Sequence, residues 1–289
     1  MFCLCAESES FSAAAHRAGL SPSAVSRAIA RMEKRLGVKL FGRTTRRMKL
    51  TEAGRRYHQQ CQQAIAQIVE AEREITGQQQ QPSGVVSISL PTPFAHFAVL
   101  PRLAEFRALH PAISLHIHMS NRNVDFIADG IDLAIRMRPP VDSELVARPL
   151  LTSRMLVVAS PEYLQRAGEP QSLEDLRNHD CVQFVPPSSG VPSTWSFVEN
   201  GSHRDIAVSG RVRVSDDPLA CVALARHHCG LLQAHSFTVE NELREGTLCE
   251  VLQSYAGSRR HISLLYRKSP YTPLRQRVLI DFLVEAFRQ

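Results

Sequence analysis

No G-x-S-x-G elbow, no G-x-x-x-x-G-K-S/T loop and no H-E-x-x-H pattern occurs in the sequence. The common signatures of hydrolytic, nucleotide-binding and zinc-dependent chemistry are therefore missing. No apolar run approaches the ~20 residues that a membrane-spanning helix needs. The opening M-F-C-L-C-A-E-S-E has no basic leader and only a short apolar stretch, so it does not read as a secretory signal and a cytoplasmic location is expected. The seven cysteines are odd in number and lack framework spacing, which excludes a disulfide scaffold. Tryptophan occurs once, at Trp195, where a single ring reads as core or cleft-edge anchor rather than cofactor stack. The chain has 289 residues, room for two or three domains. At 44% hydrophobic and 21% charged residues, disorder throughout is excluded.

Charge is present but uneven. The whole chain carries +6, and residues 1–90 alone account for that excess, because 91–289 hold equal numbers of basic and acidic side chains. Within 16–56 there are 12 basic and 2 acidic residues. A segment this basic on a neutral body is a candidate polyanion-binding head.

The head has a readable grammar. Ser10 or Ser12 can cap an Ala-rich helix that ends at Gly19. Ser21 then caps a second helix with Pro22 in its first turn, and Gly37 stops it. Two helices joined by G-L-S form a helix-turn-helix. In the second helix Val25, Ile29, Met32 and Leu36 share one apolar face, while Ser23, Arg27, Ala30 and Lys34 lie opposite. That outer face is small, polar and basic, which suits a major groove, and Ser21, Ser23, Ala24, Ser26, Arg27 and Arg31 are its candidate contacts. Leu40–Arg43 and Arg47–Leu50 read as short strands around a basic tip, a wing whose Arg43, Thr44, Arg46 and Arg47 can reach phosphates or a minor groove. Thr51 opens a long helix, roughly 52–78. Tyr57, Cys61, Ala64, Ile68, Ala71 and Ile75 recur on it at intervals of 4 and 3, as in a dimerising coiled coil; packing on its own domain is the alternative. The polar run Q-Q-Q-Q-P-S-G then reads as a linker.

From Val85 onward strands and helices alternate, which predicts an α/β half with an open, largely parallel sheet. Val86–Leu90, Ile113–Met119, Leu133–Met137, Met155–Ala159, Cys181–Val185, Ile206–Val214, Gly230–Gln233 and His261–Tyr266 read as strands. Helices are expected after Thr92-Pro93, at Val124–Asp129, at Pro218–His228 and at Leu274–Phe287.

The residues S-F-S-A-A-A-H-R-A-G-L-S-P-S-A-V-S-R, followed by L-G-V-K-L-F-G-R-T-T-R-R-M-K-L-T-E-A-G, resemble the LysR-type transcriptional regulators. L-P-R-L-A-E-F-R-A-L-H-P, D-G-I-D-L-A-I-R and V-V-A-S-P-E-Y-L extend the resemblance across the second half. It implies a winged helix-turn-helix, a linker-helix dimer or higher oligomer, and a regulatory half of two Rossmann-like lobes similar to a periplasmic binding protein. It also implies a double-stranded DNA operator and a small-molecule effector between the lobes, with no cofactor and no catalysis. The expected domains are 1–56 for the DNA-binding head, 57–83 for the linker helix and hinge, and 84–289 for the regulatory half. In that half lobe I is about 84–159 with 266–289, and lobe II about 160–265.

Ligands of open α/β sheets sit beyond the carboxyl ends of strands. Thr92, Phe94, Asn121, Asn123 and Arg136 stand at such ends in one lobe, and Ser215 and Asp216 in the other. That mixture suits a small organic acid or a phenol; alternatively Arg136 pairs with Asp132. Other clusters have plainer readings. His227, His228, Cys229 and His235 lack paired-ligand spacing for a metal, Cys221 and Cys229 read as apolar thiols rather than a redox pair, and His116 with His118 read as a solvated or dimer-facing edge. Asp216 and Asp217 read as helix-capping residues, not a catalytic pair.

Overall fold

The computed structural model describes residues 1–8, 10–43, 48–75, 81–137, 144–269 and 271–288. They form two compact units, 1–80 with 127–130, and 81–126 with 131–289.

The first unit begins with α1 (Phe2–Ser8), α2 (Phe11–Ala18) and α3 (Pro22–Leu36). Ser10, not Ser12, caps α2, its hydroxyl accepting from the Ala13 N–H at 3.3 Å. Gly19 turns the chain at φ 65°, in the left-handed region where a side chain is strained. Ser21 caps α3 by accepting from Ala24 N–H at 3.2 Å. The hairpin β1 (Phe41–Arg43) and β2 (Met48–Leu50) is antiparallel, and α4 (Glu52–Ile75) follows. The first strand starts one residue later than the sequence suggests, at Phe41, the second ends at Leu50 as expected, and the tip at 44–47 lies outside the described residues. Phe2, Cys5, Ala14, Ala15, Val25, Ile29, Leu40 and Phe41 form the core, with Tyr57 of α4 against Phe2 at 5.1 Å between ring centroids. Leu36, expected on the apolar face, is exposed instead.

The start of α4 is locked to the chain before the hairpin. The Thr51 hydroxyl donates to the Lys39 carbonyl at 2.6 Å and accepts from Gly54 N–H at 2.9 Å. A Cβ on Gly54 would collide with the Leu40 carbonyl oxygen. Gly54→Ala is therefore expected to destabilise the head by about 1–3 kcal/mol through overpacking. A thermal melt with an unchanged head transition would remove that contact from the account.

The second unit has two lobes. Lobe I is built on β3 (Gly84–Leu90), β4 (Ile113–Met119), β5 (Leu133–Arg136), β6 (Leu145–Ala159) and the final strand, β13 (Arg259–Arg267), in the order β4-β3-β5-β13-β6. A helical stretch runs from α5 (Thr92–Phe94) through Ala95–Val99 and Leu100–Arg102 into α6 (Leu103–Leu109). It shares one core with the C-terminal helix and with Val86, Ile88, Leu133, Ile135, Ile262 and Leu264. Lobe II contains α7 (Pro161–Ala167), β7 (Gln183–Val185), β8 (Trp195–Glu199), β9 (Ser202–Ile206), β10 (Arg213–Ser215), α8 (Pro218–Arg226), β11 (Leu232–His235), α9 (Glu240–Glu245) and β12 (Cys249–Val251). The last helix, α10 (Leu274–Ala286), closes lobe I. β6 belongs to both lobes: Leu145–Arg154 pairs with β13, and Met155–Ala159 pairs with β11 and β12.

Several sequence expectations change here. The large sheet is mixed rather than largely parallel: β3 runs parallel to β4 and β5, but β13 is antiparallel to β5 and β6, and β11 and β12 are antiparallel to β6. The cause is that β13 returns from lobe II beside the strand that entered it. Residues 126–130 are turns, not part of a helix. Val124 and Phe126, two residues apart, both pack on Ile131, Ala134 and Leu265, a spacing no helix satisfies. The expected strand Ile206–Val214 splits between β9 and β10, and the hairpin that buries Trp195 has no counterpart in the sequence reading. β6 begins ten residues earlier than expected, because Pro149 and polar residues mask its alternation.

Candidate functional site

Two sites can be built from these elements. The first is the outer face of α3. Val25, Ile29 and Glu33 are buried, while Ser23, Arg27, Ala30, Arg31 and Lys34 are exposed along the opposite side; Ala24 and Ser26 are half-buried in the first turn. Ser21 is exposed, but its hydroxyl is engaged as the cap and lies 3.1 Å from that of Ser23. Arg43 ends β1 through backbone pairing with Met48. Thr44, Arg46 and Arg47 fall outside the described residues, as does the Arg43 side chain.

Glu33 is the residue that sequence reasoning missed. It occupies the apolar face of α3 at 8% exposure. One carboxylate oxygen accepts from Leu40 N–H at 2.9 Å and Phe41 N–H at 3.2 Å, and the other meets Lys39 Nζ at 2.6 Å. It thus fixes the entry of the hairpin against α3. Burial pushes its pKa up, but the bonds from Lys39, Phe41 and Leu40 outweigh that and hold it below the ordinary value. The signal was available: a glutamate on an apolar helical stripe needs partners, and the next polar backbone is the turn to the hairpin.

The α4 seam divides. Tyr57 and Cys61 pack on the head's own core, so this end follows the alternative reading. Ala64 is exposed, and Ile65, Ile68 and Val69 are 50%, 58% and 38% exposed. Among the described residues of α4, the large apolar side chains left open are 65, 68 and 69, one helical face at i, i+3 and i+4. Ala71 and Ile75 lie on α4, and their side chains are outside the described residues.

The second site lies where the two lobes meet. The Asn121 side chain accepts from Thr92 N–H at 3.1 Å, donates to Thr92 Oγ1 at 3.1 Å, and donates to the Asp216 carbonyl at 2.7 Å. Thr92 and Asn121 of lobe I are thus joined directly to Asp216 of lobe II. Asp216 holds φ 66°, a left-handed conformation that turns its carbonyl toward Asn121. Its carboxylate lies 3.8 Å from Arg122, both well exposed. Asp217 caps α8 by accepting from Leu219 N–H at 3.0 Å. Ser215 is exposed at the end of β10, next to this cluster, and Asn123 is exposed on the loop beyond it. Phe94 is not at the cleft surface; it is fully buried among Phe237 and Phe287, with ring centroids at 5.8 and 5.2 Å.

Arg136 does not pair with Asp132. Asp132 accepts instead from Ser87 N–H at 2.8 Å and Gln276 Nε2 at 2.7 Å. The Arg136 guanidinium donates to the carbonyls of Ser89, Ile135 and Arg122 and to Ser89 Oγ. Burial pulls its pKa down to about 10. These bonds direct the guanidinium at neutral groups and tie the loop after β4 to β3, a positioning role.

The remaining clusters stay apart. His228 Nδ1 bonds Ser160 Oγ at 2.8 Å, whereas His235 stacks on Phe237 at 5.3 Å. Burial pushes the Cys221 thiol up to about 12, which makes it a poor nucleophile. The His116 and His118 rings lie 4.1 Å apart on β4, the edge strand of its sheet. Among the described residues no helix is long and apolar enough to cross a membrane.

Comparison with known proteins fits both halves. Residues 1–55 match the family described as bacterial regulatory helix-turn-helix protein, lysR family, and residues 79–288 match the LysR substrate binding domain. The chain is 35% identical over 280 residues to the HTH-type transcriptional regulator CrgA of Neisseria meningitidis serogroup B, covering 96% of this chain and 92% of that one. It is 28% identical to the HTH-type transcriptional activator TtdR of Escherichia coli K12, covering 96% and 88%. The solved structure of CrgA superposes with a TM-score of 0.66 at 33% identity, covering 100% of this chain and 97% of the other.

Proposed function

The chain belongs to the LysR family of transcriptional regulators, and from that premise we propose that it is a sequence-specific, cytoplasmic DNA-binding regulator whose activity is set by a small molecule held between the lobes of its C-terminal half. The observation that carries the DNA-binding part is the outward face of α3, where Ser23, Arg27, Ala30, Arg31 and Lys34 are exposed opposite a buried stripe. A helix of that kind enters a major groove with its first turn against base edges. Ser23, Ala24, Ser26 and Arg27 then read bases, and Ser21, Arg31 and the wing residues Arg43, Thr44, Arg46 and Arg47 hold the backbone. Residues 1–56 serve as the head, 57–83 as the connection and dimer helix, and 84–289 as the regulatory half.

Selection of bound sequences from random DNA, repeated in the presence of candidate metabolites, tests the reading as a whole. Enrichment of a two-fold-related site that disappears for a chain starting at Gly84 supports it; no enrichment overturns it. Within that site Arg27→Ala is expected to cost about 1–3 kcal/mol on the selected sequence and much less on random DNA. Equal losses on both would assign Arg27 to phosphate.

The effector reading rests on the Thr92–Asn121–Asp216 cluster, which offers hydroxyl, amide and carbonyl groups at one point between the lobes. Polar groups that bond each other across a cleft can exchange those partners for a ligand's. A thermal-shift screen of small organic acids and phenols would identify a ligand of the full chain. Thr92→Val combined with Asn121→Leu is expected to abolish the shift produced by that ligand while leaving DNA binding of the unliganded protein intact. An undiminished shift would place the pocket elsewhere.

A further inference from the structure

Strand β4 carries a pair of side chains that neither the α3 face nor the Thr92–Asn121–Asp216 cluster uses. Ile113, Leu115 and Ile117 turn to the core of lobe I, so the alternate residues His116 and His118 share the opposite face. β4 is the last strand of its sheet and is paired on one side only, to β3. His116 is exposed and His118 half-buried. Residues i and i+2 of a strand lie about 6.6–6.8 Å apart along the backbone. The two imidazole rings nevertheless stand with centroids 4.1 Å apart and planes at 49°. The side chains therefore lean toward each other. Other histidine rings among the described residues meet hydroxyls instead: His179 with Tyr163 at 3.0 Å, His228 with Ser160 at 2.8 Å and His261 with Thr152 at 3.0 Å.

We propose that His116 and His118 form a two-nitrogen chelate for a divalent transition-metal ion of tetragonal preference, Ni²⁺ or Cu²⁺. Neutral imidazole is a good ligand for these ions, and square or tetragonal geometry sets them apart from Zn²⁺. With a metal–nitrogen bond of about 2.0–2.1 Å, the ion lies about 3.2 Å from each ring centre. Two rings at right angles around the ion then have centres about 4.5 Å apart, and two rings at a tetrahedral angle about 5.2 Å. The observed 4.1 Å lies nearer the right-angled arrangement, so a small rotation of the side chains completes it. Each ring gives one nitrogen to the ion and keeps the other for a hydrogen bond that fixes its tautomer.

The surroundings choose the side of approach. Ser87 and Ser89 of β3 stand opposite His116 and His118, and Ser89 Oγ accepts from the Arg136 guanidinium at 2.9 Å. That guanidinium disfavours a second cation on the inner side of the pair. The ion takes the outer side, at the open edge of the sheet, where water fills its remaining positions.

The test is calorimetric titration of the full chain with nickel chloride in the presence of a phosphine reductant, with zinc chloride as the comparison. The native protein should bind one Ni²⁺ per chain in an event that His116→Gln and His118→Gln each remove, and Zn²⁺ should bind these histidines several-fold more weakly. Metal-free melts of both variants should match the native one, because the substitutions lie on a sheet edge. A second measurement needs no variant: Ni²⁺ should protect both His116 and His118 of the native chain from acylation by diethyl pyrocarbonate. Nickel isotherms unchanged in both variants, loss in only one of them, or acylation of the two rings undiminished by Ni²⁺ would overturn the chelate and leave ring stacking alone. Zn²⁺ binding at this pair as tightly as Ni²⁺ would overturn the tetragonal assignment.

Discussion

Glu33→Ala is expected to lower the stability of the head by about 2–5 kcal/mol, because two buried N–H groups lose their acceptor at once. The donors are Leu40 and Phe41, whose side chains are themselves core. Lys39 is largely exposed and recovers water when the carboxylate goes, so the loss falls mainly on the backbone bonds. Glu33→Gln keeps an acceptor for the amides and should cost about 1 kcal/mol. The native carboxyl is held below its ordinary pKa, so its contribution is full above the pKa of an unfolded glutamate. It is lost as pH falls through the lower folded value. Calorimetry across acid pH should show the head's transition falling in the native protein and less steeply in Glu33→Ala. Equal slopes would mean that another carboxylate governs acid stability.

A second large effect is expected at Ile68. Under the proposed function, the stripe of Ile65, Ile68 and Val69 pairs with its counterpart in a second chain. Ile68→Asp would bury a charge there, without a partner, and should convert the dimer to monomer in sedimentation or light scattering. Separating two heads removes the second, intramolecular binding event, so operator affinity should fall by about 10²–10⁴. Tyr57→Ala makes an informative contrast: Tyr57 packs inside its own head, so that change should lower stability rather than split the dimer. An Ile68→Asp protein that remains a dimer and binds normally would exclude this face.

Much of the head could be read directly, because its signals are local. Caps, an αL glycine and a helical stripe sit within a few residues of one another, and Ser10, Gly19, Ser21 and Gly37 all act where those signals place them. Periodicity misleads on both long helices of the head. A heptad count does not distinguish burial in the same chain from burial in another, so it sets Tyr57 and Cys61 beside Ile68. Likewise, periodicity alone assigned Leu36 to the interior and passed over Glu33, whose partners are seven and eight residues away. In the α/β half the strand ends that place Thr92, Asn121 and Asp216 are visible as alternation followed by polar residues. Their mutual bonds are not, since Asn121 and Asp216 are 95 residues apart. Arg136 stands as the opposite case: its strand position was legible, but its bonds to backbone carbonyls depend on how the loop at Arg122 folds back.

The shared strand β6 has a consequence for the order in which the molecule is made. Lobe I needs β13 between β5 and β6, yet the ribosome must produce all of lobe II before β13 exists. β5 and β6 therefore emerge with an open gap where their common neighbour belongs, while the intervening lobe can already collapse around its own interior. Closing the gap pairs Ala134–Arg136 with Ser263–Leu265, a long-range step of high entropic cost. The lobe that starts first is completed last, and during synthesis its exposed strand edges are the part of this chain most in need of protection from aggregation.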